Sequence, residues 1–415
     1  MSRRFRSFQI IVPKEVCRVA ASRRTCLISQ SRTIRFPRER FCFCFYRFQR
    51  KPQAGAEDGF TRGATMSDSV PVEWDLPKDI LIDILGRIPA LSLARCSCVA
   101  ASWREVTKQE SSLKRKIGLE RAWLHEPINP IIHKGRNHFA TLCCAKMKNF
   151  IALGGYDGFK VFDFDCKEFI FECEETGIVL SLSFMDGMLV TGGRNRDLCG
   201  WDISSRKKLF CVSLFDSRIL SIADVGDKVV VGGGNGNLQI WEKGVWEWHS
   251  SLEGHSEDVF CLFHQSGNLL ISGSRDETIR IWNLVDNACL RVIGGQVGGA
   301  SSIDVSDGLI FCGAFDGNIR SWEFESGELV QTFQGHKRSM TSVVLQEGRM
   351  FTGSFDQTIK MWDTTNCECV RSFDCSHYRS PNTSQKTDLL WVDDETLMAV
   401  GGGGKILEWD FSKGL

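Results

Sequence analysis

No stretch of this sequence approaches the ~18 consecutive apolar residues that a membrane-crossing helix needs. A membrane is therefore not an expected partner. A secretion signal is missing as well: "SFQIIVP" near the N-terminus runs at once into Lys14 and Glu15, too short an apolar core. Without a signal, the 18 cysteines do not read as a secreted disulfide framework. They read as reduced thiols, most of them small buried hydrophobes, in a cytoplasmic and/or nuclear protein.

Net charge is also absent, with 51 basic against 51 acidic residues. The balance hides a reversal. Residues 1–65 hold 13 Arg and 2 Lys against 4 acids, so the rest of the chain carries the acidic excess. A reversal that sharp marks a boundary. Residues 1–65 have no clear period, and the expectation is a basic extension without a fold. It could even lie upstream of a start at Met66, where "MSDSVPVEWDLP" begins a new composition. A transit peptide and a basic arm for nucleic acid are the rival readings of this segment.

Recognisable reaction centres are scarce. "VGGGGKI" (400–406) resembles a phosphate loop only in glycine content, since Lys405 has no Ser or Thr after it. "CECVRSFDCSH" offers Cys367, Cys369, Cys375 and His377, and zinc prefers four such ligands. Strand alternation there would send Cys367 and Cys369 to one face, and the spacing is not that of a zinc finger. No metal and no cofactor is expected.

What the chain does have is a repeat. An aromatic followed by an acid or amide recurs at Phe162-Asp163, Trp201-Asp202, Trp241-Glu242, Trp282-Asn283, Trp322-Glu323, Trp362-Asp363 and Trp409-Asp410. Before most of these stands an alternating apolar run such as "TIRIW", and before that a small-residue turn such as "SGSRD". Period-two alternation with Gly/Asp turns means short antiparallel strands. About 40 residues per unit is the spacing of a four-stranded propeller blade.

These marks resemble the WD-repeat family over residues 138–415. The fourth and sixth units are the fullest, because each also has a Gly-His pair; the first, third and seventh are degenerate. The resemblance implies a mainly β, seven-bladed propeller. It also reinterprets a Ser/His/Asp set that would otherwise suggest a hydrolase triad. His255, Ser272, Asp276 and Trp282, and again His336, Thr352, Asp356 and Trp362, would form a hydrogen-bonded relay inside a blade. A triad would be single and open to substrate; this set is duplicated at the blade period. The chain ends just after the last Trp-Asp strand, so a segment within residues 120–138 is expected to supply the final blade's outer strand, removing an exposed edge.

Ahead of the repeats the rhythm changes. In "LPKDILIDILGRIPALSLARCSCVAASWREV" (76–106), Ile80, Ile84, Leu85 and Ile88 recur at three- and four-residue steps, as on an amphipathic helix. Pro89 interrupts, and Leu93, Cys96, Val99 and Trp103 resume the spacing. Two or three helices in 40 residues cannot bury this apolar surface alone. The segment resembles an F-box, placed at 73–115, with a linker at 116–137. The resemblance implies adaptor-facing side chains Leu76, Pro77, Ile84, Leu85, Ile88, Pro89, Leu93 and Val99. A plain helical cap on the propeller is the alternative.

Together the two modules resemble the F-box/WD-repeat substrate receptors of SCF-type ubiquitin ligases. That implies a non-catalytic chain, with no catalytic residue of its own, that binds the adaptor subunit and through it a cullin. The propeller would hold the target protein. A non-ligase WD-repeat scaffold is the alternative. In such propellers the position just before each turn Asp lies on the binding rim; here it reads Tyr156, Arg194, Gly234, Arg275, Phe315 and Phe355. Arginine suits phosphate and aromatics suit an apolar anchor. The rim is thus expected to be mixed, for an acidic-aromatic or singly phosphorylated peptide, unless both arginines are ordinary solvated charges.

Overall fold

The computed structural model describes residues 7–11, 33–37, 115, 119, 122–123, 129–133, 139–174, 176–213, 216–346, 348–378, 388–392, 395–401 and 404–412. The chain divides into two units, Met1–Glu120 and Arg121–Leu415. In the first, strand Ser7–Ile11 pairs antiparallel with Thr33–Pro37, Ile10 standing opposite Ile34. The extension expected to lack a fold thus contains a two-stranded ladder, built where β-branched residues face one another. The adaptor-facing set, Leu76, Pro77, Ile84, Leu85, Ile88, Pro89, Leu93 and Val99, lies outside the described residues.

The second unit is a ring of seven four-stranded antiparallel sheets. Blades 1 to 6 occupy residues 141–173, 179–212, 219–252, 259–293, 300–333 and 340–374, each a simple meander from inner to outer strand. The inner strand of each blade packs against the inner strand of the next, all the way round to the first. Each aromatic-acid mark ends a third strand, from Asp163 through Asp410. In the fourth of these, Ile279, Ile281 and Trp282 are buried and Arg280 is half-buried, as the alternation requires.

The glycine recurring in the second strand has a packing cause. A Cβ on Gly192 would come 2.3 Å from Ile219 of the next blade, and one on Gly273 would come 2.6 Å from Ala300. Val179, Val259 and Met340 fill the same slots over Gly154, Gly232 and Gly313. The first inner-strand residue of each of blades 2 to 6 therefore inserts where its neighbour has no side chain. These plug residues are essentially fully buried.

Closure follows the expectation from the chain ends. The last blade runs 388–410, and its outer strand is Ile131–His133 from ahead of the first blade. Ile132 pairs with Leu407, and the His133 ring nitrogen Nε2 lies 2.7 Å from Glu408 Oε2. The ring starts before residue 138, and the segment read as a linker takes part in it. Trp123 is fully buried and stacks on Phe411 at 3.7 Å, while the Arg371 guanidinium donates to the Ala122 and Trp123 carbonyls.

The cysteines depart from expectation in two ways. Cys199 and Cys211 stand opposite each other on the third and outer strands of blade 2, with Cα atoms 4.1 Å apart, and form a disulfide. The antiparallel register, invisible from spacing alone, brings them together. Among the free cysteines described, Cys173, Cys312 and Cys375 are buried, but Cys166, Cys289 and Cys369 are exposed.

Candidate protein-binding face

The two relays assemble as the spacing implied. His255 Nδ1 lies 2.8 Å from Asp276, its Nε2 lies 2.7 Å from Ser272 Oγ, and the Trp282 indole N–H donates to the same hydroxyl at 2.8 Å. One proton arrangement satisfies every member: Nδ1–H donates to the carboxylate and the serine O–H donates to Nε2. Blade 6 repeats it with His336, Asp356, Thr352 and Trp362 at 2.9, 2.8 and 2.8 Å. Thr278 and Thr358 are members the sequence reading missed, donating to Asp276 and Asp356 at 2.6 and 2.7 Å. Their signal was available: each follows its aspartate by two residues.

The electrostatics fit a scaffold. Burial is the largest influence on His255 and pushes its pKa down despite Asp276, keeping the imidazole neutral. Burial pushes Asp276 the other way, but the bonds from Thr278 and His255 outweigh it and hold the carboxyl low. Asp356 is likewise held well below its usual range, the bonds from His336 and Thr358 outweighing burial. Ser272 is completely buried, with its oxygen engaged by His255 and Trp282, so it presents no nucleophile to solvent.

The relay carries the rim. Asp276 also accepts the Ser256 N–H, which pins the loop leading into the inner strand. At the end of that loop the Asp258 carbonyl accepts the N–H of Arg275. Arg194, Gly234, Phe315 and Phe355 make the equivalent bond to Ile178, Arg218, Gly299 and Ser339, at 3.0–3.3 Å. Four of the proposed rim residues, Arg194, Arg275, Phe315 and Phe355, therefore occupy one repeated structural position. Tyr156, aligned with a one-residue shift, closes the second-to-third-strand turn of blade 1 and is 53% exposed.

A second ring of positions lies beside the first. In each of blades 1 to 6 the inner strand carries a bulge at its second residue: Leu142, Leu180, Leu220, Phe260, Ser301 and Thr341. A bulge re-aims the unpaired side chain. These six are half-buried. Phe260 of blade 4 meets Phe315 of blade 5 edge to face at 5.1 Å, so the two rings of positions touch.

Charges on the rim are largely paired. Arg218 binds Asp258 at 2.6 Å, with the carboxylate buried, and Arg275 lies 3.5 Å from Glu257. The Arg194 side chain makes no ion pair among the described residues. Of the zinc candidates, Cys375 is buried with its thiol pushed by burial to about 12, whereas Cys369 is exposed. Among the described residues no group of three or more His, Cys, Asp or Glu side chains is arranged to hold a metal ion.

Residues 246–283 and 327–363 match the family described as WD domain, G-beta repeat, and they end on the third strands of the two blades with complete relays. The ring is a WD-repeat propeller, and by shape it resembles the WD40 propeller domain of Doa1 (TM-score 0.58, 16% identity, 68% of this chain and 96% of that one). It also resembles the computationally designed Ika8 protein (TM-score 0.54, 22% identity, 65% and 83%). Residues 74–120 match the F-box-like family. The chain therefore carries an F-box-like segment ahead of WD repeats, the module order of F-box/WD-repeat proteins. It is 41% identical over 51 residues to F-box/WD repeat-containing protein 7 of Drosophila melanogaster, covering 12% of this chain and 4% of that protein. It is 34% identical over 68 residues to mouse Pre-mRNA-processing factor 19, covering 16% and 14%. With WD repeat-containing protein 18 of Bos taurus the figures are 31% over 109 residues, 22% and 25%. These matches span a quarter or less of each relative.

Proposed function

We propose that this chain is the substrate-recognition subunit of an SCF-type, cullin-based ubiquitin ligase, its F-box holding the adaptor and its propeller holding the target. The observation that carries the reading is the order of modules: an F-box-like segment directly ahead of a propeller closed by its own pre-blade strand. The chain contributes proximity rather than covalent chemistry. The target sits on the rim, at Tyr156, Arg194, Arg275, Phe315 and Phe355. The protein works in the cytoplasm and/or nucleus, which fluorescent fusions beginning at Met1 and at Met66 would locate.

Burying each large aliphatic side chain of the F-box against the adaptor contributes ~1.5–3 kcal/mol. Leu85→Asp with Leu93→Asp is therefore expected to reduce adaptor pull-down by more than about 100-fold while the propeller's melting transition stays in place. Undiminished adaptor capture would favour the alternative, a WD-repeat scaffold that recruits no ligase.

A further inference from the structure

Resting on the receptor reading, we infer that the rim takes an unphosphorylated segment anchored by a large apolar or aromatic side chain, with at most one carboxylate alongside. Two independent features of the rim point there. The bulged positions at the rim end of the inner strands read Leu142, Leu180, Leu220 and Phe260 over four consecutive blades, and Phe260 is joined to the half-buried Phe315. Blade 5 continues with Ser301, whose hydroxyl donates to the Gly313 carbonyl and so is turned to the backbone. A phosphate entering here would find aliphatic and aromatic side chains in place of donors.

The second feature is charge. A dianionic phosphate is held by guanidinium groups that are free to form bidentate bonds. Arg218 is already bonded to the buried carboxylate of Asp258, and Arg275 has the exposed Glu257 carboxylate 3.5 Å away. Asp258 and Glu257 are adjacent, so a phosphate drawn to either arginine would meet two carboxylates. Of the two arginines at the repeated rim position, Arg275 has Glu257 beside it and Arg194, on blade 2, has no ion-pair partner among the described residues. One free arginine beside an apolar mouth matches a hydrophobic segment with a single acidic neighbour.

The test uses the full chain bound to its adaptor and two immobilised synthetic peptide libraries with random flanks. One has phenylalanine fixed at the centre, the other phosphoserine. The phenylalanine library should be retained at least about ten-fold better, as a buried aromatic anchor at an interface centre implies. Phe260→Ser should cut that retention about ten-fold, whereas Lys207→Gln, on the exposed outer strand of blade 2, should change it less than about two-fold. A thermal melt checks that Phe260→Ser still folds; Leu180→Ser, two blades away, should give the same loss. Preference for the phosphoserine library, retention of neither, or retention indifferent to both Phe260→Ser and Leu180→Ser would overturn the inference. Adaptor capture is measured on the same preparations. A phosphoserine preference with adaptor capture intact removes only this inference, while failure of the wild-type chain to bind the adaptor removes the receptor reading itself.

Discussion

Blade 5 stands between two blades that carry the complete relay, and it does without one. Where blades 4 and 6 have His255 and His336, blade 5 has Gln296; where they have Ser272 and Thr352, it has Cys312. Its turn aspartate, Asp316, bonds to Arg320 at 2.6 Å. The relay groups of blades 4 and 6 satisfy one another, but in blade 5 Gln296 Oε1, Arg320 Nη1 and Ser321 Oγ are buried with no hydrogen-bond partner among the described residues. Yet Trp322, Ile310 and Ile319 are as fully buried as their counterparts Trp282, Leu270 and Ile279. Strand alternation and interblade packing build a blade; the relay adds a polar brace that fixes the rim loop.

That comparison can be broken most severely at the seam. If packing between blades matters more than any single relay, removing residues 120–137 should do more damage than any relay mutation. The deletion takes out Trp123 and the strand Ile131–His133, exposing the edge of the last blade. Loss of a single cooperative unfolding transition is expected by calorimetry. An unchanged melt would mean the ring closes in another way.

The next test separates the two kinds of blade. Thr352→Val leaves the His336 Nε2 and the Trp362 N–H without their shared partner. Each buried orphan costs ~1–3 kcal/mol, so ~2–6 kcal/mol in all. Cys312→Val, at the same position in blade 5, replaces one small hydrophobe by another and should cost under ~1.5 kcal/mol. Chemical denaturation of both variants measures the difference; equal losses would mean the relay contributes nothing beyond its volume.

The smallest effect comes from rebuilding. Gln296→His with Cys312→Ser and Asn318→Thr gives blade 5 the residues of blade 4, and a gain of about 1 kcal/mol is expected from one net hydrogen bond. It should also add acid sensitivity. Stability rises with pH wherever the unfolded chain binds more protons. Unfolded, a histidine takes up a proton near pH ~6.5; folded, burial holds His255 neutral below that. Stability thus falls as pH drops below ~6.5. It falls again below ~4, where Asp276 and Asp356, held low in the fold, are protonated in the unfolded chain. The rebuilt protein should lose more stability between pH 7 and 5 than the natural one, read from melting temperatures at each pH.

Much of this was legible in advance because propeller blades are local. A blade is a meander of neighbouring strands, so the seven aromatic-acid marks, the glycine-bounded turns and both relays could be read within 40-residue windows. The missing outer strand was also inferable, since an unpaired edge demands a partner. The disulfide was not legible: Cys199 and Cys211 lie 12 residues apart, and only the register of blade 2 makes them opposite. Nor was the neutralisation of the rim, because Arg218 and Asp258 belong to successive blades, 40 residues apart. Trp123 and Ile131–His133 fall in a stretch read as a linker because their partners, Phe411 and the strand Lys405–Asp410, lie at the far end of the chain.

By itself the amino-acid sequence determined the repeat, the blade count, the relays and the F-box resemblance, all of which rest on periodicity and short-range hydrogen bonding. Only the tertiary structure decided which side chains share a surface. Which arginines are already paired, how Trp123 meets Phe411, and where Phe260 meets Phe315 are set by the curvature of a closed ring. That curvature brings together residues whose separation along the chain says nothing of their distance in space.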